Sequence, residues 1–245
     1  VTLAAAAAGQ GYQTTYAQIA ADATGIDMEN IRVVNGDTGR IAFGQGTFAS
    51  RITATAGPSV MKAGAELREQ ILAVAERMLK ISAQNLTITG DRVHAIDDDT
   101  KVVTLAEVSQ LANVGRHGMS LLDGVPAGIE TQAFFAPAQA AYTSGAHAAL
   151  VEVDPETGAT TILRYVVGHD CGNVINPMIV DGQQIGGFAH GLGNAMYEEP
   201  SYDDGGQPQT TSYLDYALSS AVEVPTPALV HLFTPSPLNP LGVKG

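Results

Sequence analysis

Asp170 to Glu199 reads DCGNVINPMIVDGQQIGGFAHGLGNAMYEE, and the way its glycines fall governs how the chain folds. From Ile179 onward, Ile185, Phe188, Leu192 and Met196 recur at helical spacing, which predicts a helix with one apolar stripe. Yet Gly182, Gly186, Gly187, Gly191 and Gly193 stand inside it, and each interior glycine costs a helix about 1 kcal/mol relative to alanine. Such a helix needs a bare backbone because another element or a bound ligand must approach its axis. Plain packing accounts for the glycines as well as a ligand does. Gln183 could offer an amide to a cofactor. His190 has no second His, Cys or carboxylate at ligand spacing, which argues against a metal site.

The flanks of this helix read as strands. AALVEVDPETGATTILRYVVG places two β-branched runs around Asp154-Pro155-Glu156-Thr157-Gly158, a hairpin with suitable turn residues, and Asp203-Asp204-Gly205-Gly206 marks a second. His169-Asp170-Cys171 suggests a cysteine activated by histidine. However, Cys171 follows a β-branched run where a small buried hydrophobe is expected, so a structural cysteine is the preferred reading.

Toward the N-terminus, Tyr16, Ile19, Ala20 and Ala23 give Thr14–Thr24 the pattern of a half-buried helix stopped by Gly25. Ile31–Asp37 reads as a short strand entering a turn. Val60, Ala63, Leu67, Ile71, Val74 and Met78 form one stripe of a long helix over Pro58–Lys80. Gly90-Asp91 divides two β-rich runs, and Thr104 with Glu107 makes a capping box before LAEVSQLA. Residues 113 to 146 show no period. Hairpins and helices follow one another without a βαβ rhythm, so the class is α+β, not a doubly wound sheet. The whole of 1–245 reads as one binding region, divisible into subdomains of roughly 1–135 and 136–245.

Composition narrows the partners. The 245 residues are 45% hydrophobic, enough for a sizeable core, and 12 Lys and Arg against 25 Asp and Glu give a net charge of -13. A nucleic-acid groove would form against that field, so nucleic acid is excluded as a partner. The single Cys171 permits no internal disulfide and fits a reducing compartment, with cytoplasm as the default. The opening VTLAAAAAGQGYQTTYAQIAA has no basic leader and is broken by polar residues, so it fits neither signal peptide nor membrane span. The absent initiator methionine and the abrupt GVKG end suggest a piece of a longer chain.

Two loops could carry chemistry. Gly9-Gln10-Gly11 before a helix start can aim backbone N–H groups at an anion, although an ordinary tight turn explains it too. It fails as a dinucleotide fingerprint, lacking the third glycine and the acidic residue about 20 positions on, and no Gly-Lys-Ser/Thr makes it a Walker loop. Gly44-Gln45-Gly46-Thr47-Phe48-Ala49-Ser50-Arg51 offers small residues, hydroxyls and an arginine to a phosphate or pterin, or it is a polar loop with a helix-capping serine.

Each motif alone is weak. In order, GQGYQTTYAQIAAD, GTFASR, the glycine-rich segment Asp170–Glu199 and NPLGVKG resemble the molybdenum hydroxylase large subunits, the xanthine dehydrogenase, aldehyde oxidase and carbon monoxide dehydrogenase family. The likeness thins between about 110 and 135. It implies a molybdopterin-binding domain of the xanthine dehydrogenase type and a molybdopterin cofactor with molybdenum, in the cytosine dinucleotide form. The cofactor contacts it implies are Gly9, Gln10, Gly11, Tyr12, Thr47, Ala49, Ser50, Arg51, Gln183 and Lys244. Histidine is frequent in the family where Tyr12 stands, and Ala4–Ala8 replaces a more varied loop. Since the dithiolene of the pterin holds the metal, no protein metal ligand is expected.

The resemblance further implies an oxidoreductase that oxidises carbon monoxide, an aldehyde or an N-heterocycle with water as oxygen source. FAD and [2Fe-2S] clusters would lie on a medium and a small partner subunit, in a dimer of heterotrimers. The family's general-base glutamate follows GVKG-x-G and would fall beyond Gly245, so no catalytic residue is assigned within the chain. A non-catalytic binding or assembly module is the alternative. A small NAD-binding enzyme built on the GQG turn is a third reading, weakened by the missing glycine and acid.

Overall fold

The computed structural model describes residues 1–41, 43, 44, 46–113 and 128–245, in two compact units. The first joins Val1–Ala141 to Pro235–Gly245, and the second is Tyr142–Thr234.

In the first unit, strand β1 (Thr2–Leu3) leads through the GQG loop into helix α1 (Tyr12–Thr24) and then to β2 (Val34–Asn35). β1 and β2 pair in parallel, Leu3 opposite Asn35. The first unit therefore contains a small βαβ crossover that the sequence pattern did not announce, because two-residue strands carry no period. The Gly25 stop is as expected: it adopts φ 85° and donates to the carbonyl of Ala21 at 2.7 Å.

The long helix α2 (Ile52–Leu79) starts before Pro58, which was expected to open it. Proline removes a backbone donor from a helix interior and normally breaks it. Here the preceding turn survives because it is packed, with Ile52, Ala54, Gly57 and Pro58 all buried. The contacts between α1 and α2 ascend both helices together. Ile19 lies opposite Gly57, Ala23 opposite Gly64, and Arg68 Nη1 donates to the carbonyl of Thr24 at 3.1 Å. The two helices thus run parallel and begin at the same end.

A hairpin of β3 (Leu86–Thr89) and β4 (Arg92–Ala95), extended by β5 (Asp98–Thr104), closes the lower half of α2 together with helix α3 (Leu105–Ala112). Their core is Ile71, Val74, Ala75, Leu86, Ile88, Val93, Ala95, Val108 and Ala112. The capping box of α3 forms as read, Thr104 accepting from Glu107 N while Glu107 accepts from Thr104 N.

The second unit is a sheet in the order β6 (Ser144–Val153), β7 (Thr160–Asp170), β8 (Ala228–His231), with helix α4 (Pro177–Met196) on one face. β6 and β7 form the expected hairpin, and Asp154 caps its turn by accepting from Glu156 N and the Thr157 hydroxyl. β8 lies parallel to β7. Around Asp203 a turn forms, but the flanking strands reduce to one bridge between Tyr202 and Pro208. The proline has no N–H to extend the ladder. Asn176 caps α4 by accepting from Ile179 N, and Phe188 stacks on Tyr165 with ring centroids 4.3 Å apart.

A methyl on Gly64 would stand 2.7 Å from the Cβ of Ala23. Gly64→Ala should therefore lower unfolding stability by about 1–3 kcal/mol despite the better helix propensity of alanine. Chemical denaturation checks this; an unchanged or raised midpoint would contradict the close approach of α1 and α2.

Candidate functional site

The residues singled out in the sequence fall mostly in the first unit. Gly9 (φ 97°) and Gly11 (φ 69°) both take left-handed backbone angles, and Gly11 is the N-cap of α1. Within this loop, Ala8 N donates to Gln10 Oε1 at 2.7 Å. The second loop is stitched to the first through Thr47, whose hydroxyl donates to the carbonyl of Ala6 at 2.6 Å and also hydrogen-bonds Tyr12. Burial pushes the Tyr12 phenol above the usual tyrosine range, and the bond to Thr47 works against that shift. Gln45 lies outside the described residues.

Ala49 (φ 53°) and Ser50 (φ 49°) occupy the left-handed region consecutively, an uncommon arrangement for side chains bearing a Cβ. Ser50 does not cap the helix. Arg51 is the N-cap of α2, at φ -98° and ψ -14°, and its guanidinium lies 3.9 Å from the centroid of Phe48. The tail of the chain arrives beside this turn. A Cβ on Gly245 would stand 2.7 Å from the Ser50 carbonyl oxygen, and Gly245 N donates to the carbonyl of Ala141 at 2.8 Å. Buried Asn239 shapes the approach, its amide donating to the Val243 carbonyl and accepting from Val243 N, which sets the backbone of Lys244.

The two helix starts share a design. Each is led by left-handed backbone, Gly11 at the N-cap of α1 and Ala49-Ser50 just before the N-cap of α2; neither has a side-chain cap, and neither has an acidic residue in its first turn. In contrast, α3 and α4 are both capped by side chains. A left-handed residue followed by helical ones turns successive N–H groups inward as an anion-binding concavity, and the helix dipole adds positive potential there. Because α1 and α2 are parallel, both concavities open at one end of the unit.

Sequence reading missed two buried polar atoms nearby, the Nδ2 of Asn35 and the hydroxyl of Tyr16, which have no hydrogen-bond partner among the described residues. Asn35 opens an Asn-Gly pair that signals a turn, which was the available clue. Tyr16 looked like an ordinary core position. Its phenol is pushed upward by burial and by the neighbouring Tyr12.

Gln183 belongs to the second unit, exposed on α4. Of the helix glycines, Gly182, Gly186, Gly187 and Gly191 would bring a Cβ within 4 Å of nothing, whereas Gly193 packs on Glu198 and Ser219. The expected close approach is thus met at Gly193 alone among the described residues. Asp170 is buried and accepts from Gly172 N, Thr234 N and the Thr234 hydroxyl. These bonds hold the chain that follows β8 to the end of β7. Among the described residues no group of three His, Cys, Asp or Glu could hold a metal ion, and no helix is long and apolar enough to cross a membrane.

A family model described as the molybdopterin cofactor-binding domain matches residues 1–225. The chain belongs to this family. The carbon monoxide dehydrogenase large chain of Hydrogenophaga pseudoflava is 36% identical over 97% of this chain, and the nicotine 6-hydroxylase large subunit of Paenarthrobacter nicotinovorans 35% identical over 97%. The chain spans 29% of the length of each. Reconstituted carbon monoxide dehydrogenase from Oligotropha carboxidovorans superposes with a TM-score of 0.84 at 32% identity, covering 98% of this chain and 29% of that one. The α+β molybdopterin-binding fold is therefore shared with molybdenum-containing oxidoreductases.

Two outcomes follow from the geometry. Ala49→Gly or Ser50→Gly should relieve left-handed strain and raise stability by about 0.5–1 kcal/mol, measured by denaturant midpoint. In the second unit, His169 is held below its ordinary 6.5 by desolvation first and by His231 second. The unfolded chain then binds the proton more readily, so stability is fully present above pH 6.5 and falls as pH drops toward the lower folded value. His169→Gln should flatten that part of the stability profile, and an unaltered slope would contradict the shift.

Proposed function

We propose that this chain is the cofactor-binding part of a molybdenum-dependent hydroxylase or dehydrogenase large subunit. Its cofactor is the cytosine dinucleotide form of molybdopterin. The observation that carries the reading is the pair of parallel, uncapped helix starts, each led by left-handed backbone and free of acidic residues in the first turn. In a chain of net charge -13, this is where a phosphorylated ligand meets backbone donors without carboxylate repulsion.

The residues fit such a group. Gly9, Gln10, Gly11 and Tyr12 present the first set of donors, and Thr47, Ala49, Ser50 and Arg51 the second. Arg51 adds a fork of N–H donors suited to phosphate, for which lysine is no substitute. Strain retained at Ala49 and Ser50 fits a ligand clamp, since left-handed side-chain-bearing residues cluster at such sites. Lys244 stands on the tail next to this turn and contributes positive charge. The Nδ2 of Asn35, unpartnered among the described residues, lies at the C-terminal end of the parallel β1–β2 pair, the place where open α/β sheets bind ligands. Gln183 supplies an amide from α4.

When bound, the group supplies a two-electron redox centre that inserts oxygen from water. The chain's own residues bind it, orient it and hold its phosphates. The substrate is a small molecule such as carbon monoxide, an aldehyde or an N-heterocycle. FAD and [2Fe-2S] clusters on medium and small subunits take the electrons onward, within a dimer of heterotrimers in the cytoplasm.

In the natively purified subunit, molybdenum by elemental analysis and released cytidine nucleotide by chromatography should be stoichiometric. Arg51→Ala should reduce both roughly tenfold or more, corresponding to about 1.5–3 kcal/mol for a charge-assisted hydrogen bond. Wild-type subunit containing neither metal nor nucleotide would overturn the reading in favour of a non-catalytic assembly module.

A further inference from the structure

The turn of α4 that carries Gln183 is only partly packed. Gly182, Gly186 and Gly187 bring no side chain against the sheet, and the buried apolar anchors Phe188 and Leu192 lie farther along the helix. At the other end, Met178 is 76% exposed. Beside the half-buried Ile179, Val180 and Gln184, the directional tie from this turn to the sheet is Asp181, whose Oδ1 lies 2.8 Å from Nε2 of His231 on β8.

His231 is itself well fixed. It stands opposite His169 in the parallel β7–β8 ladder, and Leu232 N donates to the His169 carbonyl at 2.8 Å. Just beyond, Thr234 donates through both its N–H and its hydroxyl to the buried carboxylate of Asp170. The imidazole is thus carried by a pinned strand, and it grips the helix at one point.

We propose that His231, acting through Asp181, is a positioning residue for Gln183, setting the seat of the helical turn from which the Gln183 amide reaches the cofactor. The inference rests on the cofactor role assigned to Gln183 above. A directed N–H to carboxylate bond is stronger than a neutral one. A glycine-flanked turn is the part of a helix least able to hold its own conformation. Residues two apart on a helix face different sides, so Asp181 engages the sheet while Gln183 stays exposed. Small displacements matter at such sites, because about 1 Å of misplacement can cost a hundredfold in rate.

The test is a double-mutant cycle in the intact multi-subunit holoenzyme, with Gln183→Ala, His231→Ala and the pair. Turnover should fall about tenfold in each single variant and no further in the double, since residues acting through one another are not additive. Bound molybdenum should stay at the wild-type level, and the Mo(V) paramagnetic resonance line shape should change in the same way in both single variants. His231→Gln, which keeps a side-chain N–H donor, should restore turnover and line shape. Losses that multiply in the double variant would overturn the positioning role while leaving Gln183 at the cofactor. Wild-type behaviour of His231→Ala would do the same. A Gln183→Ala enzyme indistinguishable from wild type in both readouts would remove the cofactor assignment and the inference with it. Should His231→Ala fail to fold, Asp181→Ala leaves the sheet intact and enters the same cycle under the same criteria.

Discussion

The near contact of α1 with α2 is the constraint on which the first unit depends. Gly57 and Gly64 let Ile19 and Ala23 approach the axis of α2, and the ascending order of these contacts makes the helices parallel. Parallel helices add their dipoles at one end, whereas an antiparallel pair would cancel them. Everything placed at that end then works in concert: the glycine loop before α1, the left-handed turn before α2, and the tail that passes beside Ser50. Side chains at Gly57 and Gly64 would separate the helices and disperse the positive potential, even though neither glycine lies in either loop.

The second unit is organised by polar pins where the first uses apolar packing. Asp170 secures the chain after β8 to the end of β7, and His231 secures α4 to the sheet. Between them only Val167, Phe188 and Leu192 supply well-buried apolar side chains from β7 and α4. A unit built this way owes its geometry to a few directional bonds, so it is sensitive to single substitutions at polar positions that look unremarkable in composition.

Much of this was legible in the sequence where the signal is local. The stop at Gly25, the capping box at Thr104 and Glu107, the turn at Asp154 and the helix through Phe188 and Leu192 each depend on residues a few positions apart, and each formed as read. The family was legible from the order of its motifs. What escaped depends on long-range partners. The start of α2 ahead of Pro58 is fixed by burial of Ile52 and Ala54, the β1–β2 crossover by a pairing of two residues each, and the His231–Asp181 contact by residues 50 positions apart. The left-handed turn at Ala49 and Ser50 was invisible for another reason: nothing in alanine or serine asks for that conformation, so it must be imposed by the surroundings.

Strand β6 has a consequence for the chain in solution. All its residues from Ser144 to Val153 are exposed, it lies at one edge of its sheet, and Leu150, Val151 and Val153 stand outward. Its sequence, SGAHAALVEV, has neither a lysine nor a proline to discourage another strand from adding on, and its bulge at Leu150–Val151 is the sole irregularity in the ladder with β7. Handled alone, the chain therefore offers a ten-residue template for intermolecular β-pairing.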